Sequence, residues 1–423
     1  MSAGVLSLVR ALPLTSGQER LLAGDRVAAS GVRRRLESIA VLVEGPLDVE
    51  TLQRALDVVV DRHEALTTTI RARTDGVMVQ LVGRHRVLIE RRDLPDANPT
   101  LVSTAPVRRP TDPDLLHVEV AKLGRERHVV SLAIHHAISD GWSVAALFTE
   151  LSEAYRATFT GERPRLPDLG DGYSHACEQL WQRRRDRSDD ARRAYWTKEL
   201  AGPWPPVGLP GTPGLSRTVA DVPLIVVRSP RTALAALALT LYAEAGATDL
   251  RIGTLVPGRA GAGLQHLIGF FANTVVVRLR IDPAAPLEAL EASANQKLAS
   301  ALAHQDTPIQ DVMHDLQTDP DFTPTQLYEV MFSFETMRRT LVIDGASCTE
   351  IPASVPSPRT APTTVALRWQ FEQSDAVSRG TLTYAAGRVD SLTAARLSMR
   401  FRLAVAMLSE SRGMTVGDAV ALL

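Results

Sequence analysis

The segment His135–Gly141, with the sequence HHAISDG, groups the residues of this chain that are best suited to chemistry. An imidazole titrates near neutral pH, so either histidine can take a proton from an attacking amine or hydroxyl group. Neighbouring side chains of a strand point to opposite faces, so one histidine can enter a cavity while the other packs behind it. Asp140 can bind backbone groups or a cation at the turn, and Gly141 permits a backbone conformation that other residues resist.

A strand and a helix flank this segment and must position it. Residues 128–134 are apolar and rich in β-branched side chains, which predicts a short strand that ends at the histidines. A helix is predicted directly after the glycine, because apolar residues recur there at intervals of three and four: Val144, Leu147, Phe148, Leu151, Ala154 and Tyr155. The histidines would then lie on a strand–loop–helix turn.

Strands alternate with helices in both halves of the chain, which indicates an α/β or α+β sandwich. In the first half, the pattern predicts strands at 39–44, 67–70, 77–82 and 115–123, and helices from Gly17 and from Asp48. A charged helical stretch is expected from Tyr173 to about Leu200. The second half is expected to contain strands at 224–227, 250–254 and 275–281, helices at 233–244, 287–304 and 394–408, and an extended loop at 346–362.

The length and composition favour a soluble globular protein of two domains. A chain of 423 residues exceeds one ordinary hydrophobic core. Gly, Pro, Asp and Arg become frequent from Thr160 to Gly172, so the connection between the domains is expected there. Because 47 Lys and Arg residues nearly balance 48 Asp and Glu residues, neither nucleic acid nor an anionic membrane is an expected partner.

The cysteines and the apolar runs indicate the compartment. Cys177 and Cys348 are far apart in sequence, so a disulfide framework is not expected and a reducing environment fits. The first residues lack a basic region followed by an apolar core, so no signal peptide is expected. The most apolar run, 233–243, is shorter than the about 20 residues that cross a bilayer and is expected to be a buried helix. A cytoplasmic protein is therefore expected.

HHxxxDG, the pattern of His135–Gly141, resembles the active-site motif of the condensation domains of nonribosomal peptide synthetases, relatives of chloramphenicol acetyltransferase. The resemblance covers nearly the whole chain. Further segments are similar to the family's motifs and follow in the same order: Leu12–Arg20, Asp61–Ile70, Ile252–Arg259, Ile268–Thr274 and His304–Pro308. The chain departs from the family at Thr67 and at 321–324, which lack an arginine, and its segment 196–252 is shorter.

The resemblance implies an α/β fold of two chloramphenicol acetyltransferase-like lobes. The lobes are expected to form a V-shaped pseudo-dimer with a central tunnel, and the histidine motif is expected to lie midway along it. On this basis, residues 1–170 would form the N-terminal lobe that carries the motif. Residues 171–423 would form the C-terminal lobe, with floor-loop and latch-type segments.

The resemblance also implies the roles of individual residues. His136 is expected to be catalytic, either as a general base or by orienting the nucleophile, with His135 packed behind it. The backbone amide of Gly141 is expected to stabilise the developing oxyanion. Asp140 and Arg259 are expected to form a buried ion pair that joins the two lobes.

Four further residues are expected to line the tunnel or to contact substrate: Trp142, Ser143, Phe271 and Asn273. An alternative role for Ser143 is that of a helix N-cap. For Phe271 and Asn273 the alternative is packing at the edge of a strand.

The implied reaction joins an acyl or aminoacyl thioester, held on the phosphopantetheine arm of a carrier protein, to a free or carrier-bound amine or alcohol. The thioester stores the activation, so neither a metal nor a dissociable cofactor is expected. The sequence contains no carrier domain, so we expect a free-standing monomer that meets an acyl or peptidyl carrier protein in trans. The runs Arg33–Arg35 and Arg183–Arg185 can receive an acidic carrier, although such runs are more often solvated helix faces.

Other activities fit parts of the same segment. Both histidines can be core residues, and Asp140 with His136 can ligate a metal, although no further ligand follows at a recognisable spacing. Residues 141–145 approach the G-x-S-x-G elbow of serine hydrolases, with Ser143 as nucleophile, but lack the last glycine. Within the superfamily, the alternatives are a coenzyme A-dependent acyltransferase and a non-catalytic recruitment module. Epimerisation is disfavoured because its tryptophan–arginine extension after the motif is missing.

Overall fold

The chain forms two compact units in the computed structural model. The first comprises the described residues within Met1–Ser188, Arg259–Ala272 and Arg338–Pro358, and the second comprises those within Asp189–Gly258, Asn273–Met337 and Arg359–Leu423. The structure describes residues 10–27, 36–102, 111–112, 114–186, 190–203, 205–209, 219–224, 227, 229–261, 263–316, 327–335, 340–351, 365–374, 377–410 and 413–423. The run Arg33–Arg35 and the departure from the family at 321–324 lie outside these residues.

Strands and helices alternate along both units. The strands are β1 (Arg10–Leu12), β2 (Leu36–Glu44), β3 (Thr68–Ala72), β4 (Met78–Val82), β5 (Ile89–Asp93), β6 (Leu116–Gly124), β7 (Arg127–His135), β8 (Val219–Leu224), β9 (Asp249–Val256), β10 (Asn273–Arg280), β11 (Val330–Glu335), β12 (Ser347–Ile351), β13 (Leu367–Ser374) and β14 (Val377–Ala385). The helices are α1 (Ser16–Val27), α2 (Val49–Arg62), α3 (Pro99–Val102), α4 (Gly141–Thr160), α5 (Gly172–Arg185), α6 (Asp190–Glu199), α7 (Pro230–Ala245), α8 (Leu287–Ala303), α9 (Ile309–Asp315), α10 (Ser391–Glu410) and α11 (Val416–Ala421).

Strand β7, which leads to the paired histidines, lies in the middle of a five-stranded sheet with the order β12-β2-β7-β6-β5. It pairs antiparallel with β2 and β6, and every residue from His128 to His135 is buried. Val130, Leu132 and Ile134 share one hydrophobic core with apolar residues of α2 and α4. A β-branched run that is buried on both faces explains why the sequence pattern predicts this strand. A second sheet of the same unit has the order β1-β4-β3.

The second unit is organised around a six-stranded sheet with the order β10-β9-β11-β13-β14-β8. Helix α7 packs against α8 and α10, and its residues Ala233–Leu241 are all buried. A helix that is apolar on all sides belongs in a core, so the expectation of a buried helix is confirmed. Over the part of the chain that the structure describes, no helix has both the length and the apolar character needed to cross a membrane.

The division between the units differs from the expected boundary between residues 170 and 171. Helix α5 belongs to the first unit, because Tyr173 and Cys177 on its buried face join the core of that unit. The described residues of segments 259–272 and 338–358, which the sequence assigned to the C-terminal lobe, also belong to the first unit. The composition at 160–172 therefore marks a connection between two helices of one unit, not a boundary between units. The two later segments join the first unit through contacts with residues that are distant in sequence.

Two local expectations were wrong. Residues 347–351 form strand β12 within the expected extended loop, because they pair antiparallel with β2. A composition rich in Pro, Ser and Thr does not reveal an edge strand whose partner lies far away in sequence. The expected helical stretch from Tyr173 to Leu200 is divided into α5 and α6, and α5 ends at Arg185. Several elements had no sequence prediction: strands β1, β5, β11, β13 and β14, and helices α3, α9 and α11.

Candidate active site

His135 ends strand β7 and is buried in the first unit. The backbone N–H of Ala137 donates a hydrogen bond of 2.9 Å to His135 Nδ1, so this nitrogen carries no proton. The carbonyl oxygen of His135 accepts a hydrogen bond of 3.0 Å from the N–H of Ile138. His135 therefore closes a tight turn directly after the strand, with its own ring as part of the turn.

His136 is the one partly exposed residue between positions 135 and 140. The ring of Phe270 lies beside its imidazole, with the two ring centroids 6.2 Å apart and the ring planes at 36°. None of the described residues forms a hydrogen bond with the imidazole of His136. An accessible imidazole without a fixed hydrogen-bond partner can exchange a proton with a bound molecule.

Asp140 caps the N-terminus of α4 and is buried. Its Oδ1 accepts hydrogen bonds from the backbone N–H and from the hydroxyl of Ser143, both at 2.9 Å. Its Oδ2 accepts from Arg259 Nη1 at 2.6 Å, and from the backbone N–H groups of Phe271 and Ala272, both at 3.1 Å. With five donors around it, the carboxylate both caps the helix and anchors the segment 259–272.

Arg259 forms the ion pair with the cap residue that the sequence predicts, and its side chain is buried. Its Nη2 also donates to Ser143 Oγ at 3.0 Å and to the carbonyl oxygens of Leu267 at 3.2 Å and Gly269 at 3.3 Å. The guanidinium lies 4.9 Å from the centroid of the Phe271 ring. The expectation that this pair joins two lobes was wrong, because both partners belong to the first unit.

Ser143 is fully buried and its hydroxyl is surrounded by polar groups. Besides Asp140 and Arg259, the hydroxyl accepts from the N–H of Gly269 at 3.0 Å and lies 2.8 Å from the carbonyl oxygen of the same residue. A hydroxyl with four polar neighbours and no exposed surface can neither contact substrate nor act as a nucleophile. The expectations of a tunnel residue and of a helix N-cap were wrong. The hydroxyl of Ser143 binds the backbone of Gly269, and the N-cap of α4 is Asp140.

Phe271 packs in the core of the first unit, edge-on to Tyr173, with the ring centroids 5.9 Å apart. The neighbouring Gly269 is required for this packing, since a Cβ there would lie 2.6 Å from a carbon of each ring. The structure therefore supports the packing alternative for Phe271 rather than a tunnel contact.

Asn273 begins strand β10 in the second unit and is buried. Its Nδ2 donates to the carbonyl oxygens of Gln305 at 2.9 Å and Thr307 at 2.7 Å, and its Oδ1 accepts from the N–H of Ile309 at 3.3 Å. Both polar atoms of the carboxamide thus bind backbone groups of the segment between α8 and the start of α9. The expected substrate contact was wrong, because Asn273 is a structural residue.

Gly141 and Trp142 form the first turn of α4 and are half-buried. Their backbone N–H groups precede the first intrahelical hydrogen bond, and no described residue accepts a hydrogen bond from either. The positive end of the helix dipole reinforces these donors, so the start of α4 can bind a negatively charged oxygen. Gly141 does not have a positive φ, so the special conformation inferred from the sequence was wrong.

A buried polar network lies behind the motif and was not foreseen from the sequence. Gln18 Nε2 donates to the carbonyl oxygen of Ala137 at 2.7 Å and to Gln80 Oε1 at 2.9 Å, and the hydroxyl of Tyr173 donates to Gln80 Oε1 at 2.5 Å. Burial raises the pKa of Tyr173 well above its ordinary value, so the hydroxyl remains a donor at neutral pH. The T-x-x-Q spacing of residues 15–18 signals a capping box, but it does not tell what the glutamine contacts.

Metal-ligating side chains come together at one place in the described part of the chain: Glu90, His117 and Glu119, on β5 and β6. Glu119 already pairs with Arg92 at 3.2 Å, and none of the three belongs to the HHxxxDG motif. The alternative that Asp140 ligates a metal conflicts with the five donors around its carboxylate.

Arg183–Arg185 end helix α5, and their environments differ. Arg184 forms an ion pair with Glu19 of α1. The guanidinium of Arg185 lies 5.3 Å from the centroid of the Trp181 ring, and both of these residues are exposed. The last turn of α5 thus presents an aromatic ring with adjacent positive charge at the surface.

This fold and this site correspond to a known family. The family model of the condensation domain matches residues 10–221 and 227–354. The chain therefore belongs to the condensation domain family.

Its curated relatives are nonribosomal peptide synthetases and related synthases. Tyrocidine synthase 3 from Brevibacillus parabrevis is 28% identical over 81% of the chain and 6% of the relative. Enniatin synthase from Fusarium equiseti is 30% identical over 76% of the chain and 11% of the relative. The chain therefore spans only a small part of the length of each relative.

Solved structures of condensation-type domains cover nearly the whole chain. The X-domain from teicoplanin biosynthesis is 21% identical, with 99% of both chains covered and a TM-score of 0.79. The condensation domain of the Monacolin K polyketide synthase MokA is 19% identical, with 97% of this chain and 100% of that chain covered and a TM-score of 0.82. The chain thus has the mixed α/β, chloramphenicol acetyltransferase-like fold of condensation domains. The V-shaped arrangement and the tunnel stay predictions.

Proposed function

We propose that this chain transfers an acyl or aminoacyl group from a carrier-bound thioester to an amine or an alcohol, forming an amide or ester bond. The observation that carries the proposal is the partly exposed imidazole of His136, directly after the central strand of the first unit. Membership in the condensation domain family supports the same class of reaction.

In this proposal, His136 handles the proton of the nucleophile. As the amine or alcohol attacks the thioester carbon, a C–N or C–O bond forms and the C–S bond breaks. His136 takes the proton from the nucleophile and returns it to the departing thiolate. General-base help of this kind contributes on the order of 10²–10⁴-fold to the rate. Orientation of the nucleophile by the imidazole is the alternative role.

The start of α4 would stabilise the negative charge on the thioester oxygen. The backbone N–H groups of Gly141 and Trp142 are the available donors, and the helix dipole adds to them. Asp140 and Ser143 would not touch the substrate. Their hydrogen bonds hold the turn in place, so that the donors need no rearrangement during the reaction.

The acyl group would arrive on the phosphopantetheine arm of an acyl or peptidyl carrier protein. We propose that the end of α5, with Trp181, Arg183 and Arg185 exposed, contacts an acidic helix of the carrier. Because the thioester already stores the activation, the proposed reaction needs neither a metal nor a dissociable cofactor.

A coenzyme A thioester as donor is the second candidate. A mutant of the starter condensation domain of rhizomide synthetase, which shares the fold, has been solved in complex with C8-CoA. The X-domain from teicoplanin biosynthesis has been solved in complex with OxyB, so a domain of this fold can bind another protein, which makes recruitment a third candidate. The intact HHxxxDG motif favours catalysis over recruitment for this chain.

The test compares two thioesters of the same acyl group, one on a carrier protein and one on coenzyme A. The comparison is repeated for a panel of acyl groups, each with a panel of amines and alcohols as nucleophiles. The product is measured by mass spectrometry. We expect the carrier-bound donor to react with a kcat/KM higher by about tenfold or more, since the carrier adds binding contacts. A preference for the coenzyme A thioester would favour the second candidate. No product with any donor would favour recruitment.

A further inference from the structure

The orientation of His136 must come from its backbone and its packing, because no described residue hydrogen-bonds its imidazole. The peptide group that links His136 to Ala137 is held by His135 Nδ1, which accepts its N–H at 2.9 Å. The next peptide group is held by Gln18, whose Nε2 donates to the carbonyl oxygen of Ala137 at 2.7 Å. A rotation of either peptide group, which would turn the imidazole, would break a buried hydrogen bond.

Gln18 is itself rigidly held. It is fully buried in the first turn of α1, where its Oε1 accepts from the N–H of Thr15 at 2.9 Å. Thr15 Oγ1 in turn accepts from the N–H of Gln18 at 3.2 Å, which completes a capping box. The remaining hydrogen of Nε2 is donated to Gln80 Oε1 at 2.9 Å. A flipped carboxamide would place its amino group against the Thr15 N–H and its oxygen against the Ala137 carbonyl, so one orientation is fixed.

The same helix start also holds the ring that packs against His136. Thr15 Oγ1 donates to the carbonyl oxygen of Phe270 at 2.9 Å. Gly17 lies beneath that ring, since a Cβ at this position would be 3.1 Å from Phe270 Cδ1. The start of α1 therefore contacts both the backbone that follows His136 and the aromatic ring beside it.

We propose that Gln18 is a positioning residue for His136, which it holds in the orientation for proton transfer through the carbonyl oxygen of Ala137. This inference rests on the proposed function. Gln18 lies behind the motif and acts on His136 through the backbone of the motif. Loss of the Gln18 carboxamide should therefore lower kcat and leave substrate binding nearly unchanged. A misplacement of about 1 Å in a catalytic group can cost about 10²-fold in rate.

The test begins with Gln18→Met, which removes the carboxamide at nearly constant volume. We expect kcat to fall by about 10- to 100-fold, with both KM values nearly unchanged. In a His136→Ala background, Gln18→Met should cause almost no further loss, because residues that act as a unit are not additive.

A matched control is Gln53→Met in the same unit. Gln53 is buried, donates to Asp57 Oδ1 and to the carbonyl oxygen of Val87, both at 2.9 Å, and accepts from the N–H of Ile89 at 2.8 Å. None of these hydrogen bonds involves the motif. We expect this variant to lose a comparable amount of thermal stability and to keep the wild-type kcat.

Three results would overturn the positioning role. Gln18→Met keeps the wild-type kcat, or it lowers kcat by the same factor in the His136→Ala background as in the wild type. The third result is that Gln53→Met lowers kcat as much as Gln18→Met does. Should Gln18→Met not fold, Gln18→Glu decides. Only a protonated carboxyl at position 18 can donate to the Ala137 carbonyl. The ratio of the kcat of Gln18→Glu to that of the wild type should therefore fall as the pH rises, and a ratio that does not change with pH would refute the role. If His136→Ala itself keeps the wild-type turnover, the proposed function falls together with this inference.

Discussion

Replacing Asp140 with alanine should destabilise the first unit strongly. The change removes the acceptor of five hydrogen bonds and leaves the guanidinium of Arg259 buried without its carboxylate. An uncompensated buried charge costs about 3–5 kcal/mol, and the lost helix cap adds about 1 kcal/mol. At about 2–4 °C per kcal/mol for a unit of this size, we expect the melting temperature to fall by about 8–24 °C.

A double-mutant cycle isolates the contribution of the ion pair. Arg259→Ala leaves the carboxylate of Asp140 with four uncharged donors, and the double variant removes both buried charges. The combined loss should therefore be smaller than the sum of the two single losses, by about 0.5–3 kcal/mol. The unfolding free energies of the four proteins, measured by denaturant titration, give this coupling directly.

The pair of Asp57 and Arg86, with the arginine side chain 58% exposed, is the control within the same unit. Its coupling should be clearly smaller than that of the buried pair, because solvent screens an exposed pair. Additive losses for Asp140 and Arg259 would refute the reasoning, since they would show that the two charges do not interact.

Two further predictions concern pH and salt. Burial opposes the ionisation of Glu150, but hydrogen bonds from His63 and Arg62 lower the pKa of its carboxyl below 4.5. A lowered carboxyl pKa stabilises the folded protein above this value, and the stabilisation is lost as the pH falls. Glu150→Gln should therefore lower the melting temperature at pH 7 and do so progressively less below pH 4.5. Reversal of Arg183 and Arg185 to glutamate should raise the KM for the carrier-bound donor, more at low than at high salt, with kcat unchanged, because screening weakens a charged contact.

The outcomes that contradict these predictions are specific. A pH-independent effect of Glu150→Gln would show that the charge of the carboxylate is not the source of the stability. For the carrier contact, reversal of the exposed Arg84 and Arg125 is a control with the same change in net charge. The end of α5 would be an ordinary solvated surface if the reversal of Arg183 and Arg185 left the KM for the carrier-bound donor unchanged. The same would follow if the control raised this KM equally.

Local patterns predicted the elements around the motif well. Strand β7 and helix α4 follow from a β-branched run and from a helical spacing of apolar residues, both of which are visible without knowledge of the fold. The ion pair of Asp140 and Arg259 followed from the family resemblance, because each partner lies in a recognisable motif.

The rest depends on contacts between distant parts of the chain. Strand β12 exists because it pairs with β2, and segment 259–272 returns to the first unit because Asp140 and the core bind it. Asn273 lies in a family motif and Ser143 lies just after one, but their polar groups bind backbone atoms that only the folded chain brings near. Gln18 was missed for the same reason.

The central claim is that His136 carries the proton transfer, and the kcat of His136→Ala tests it most directly. The variant is assayed at saturating carrier-bound donor and nucleophile, and its melting curve is compared with that of the wild type. Because the side chain is partly exposed and no described residue hydrogen-bonds it, the fold should remain intact. We predict that kcat falls by about 100-fold or more. Near wild-type turnover in a folded variant would contradict the claim.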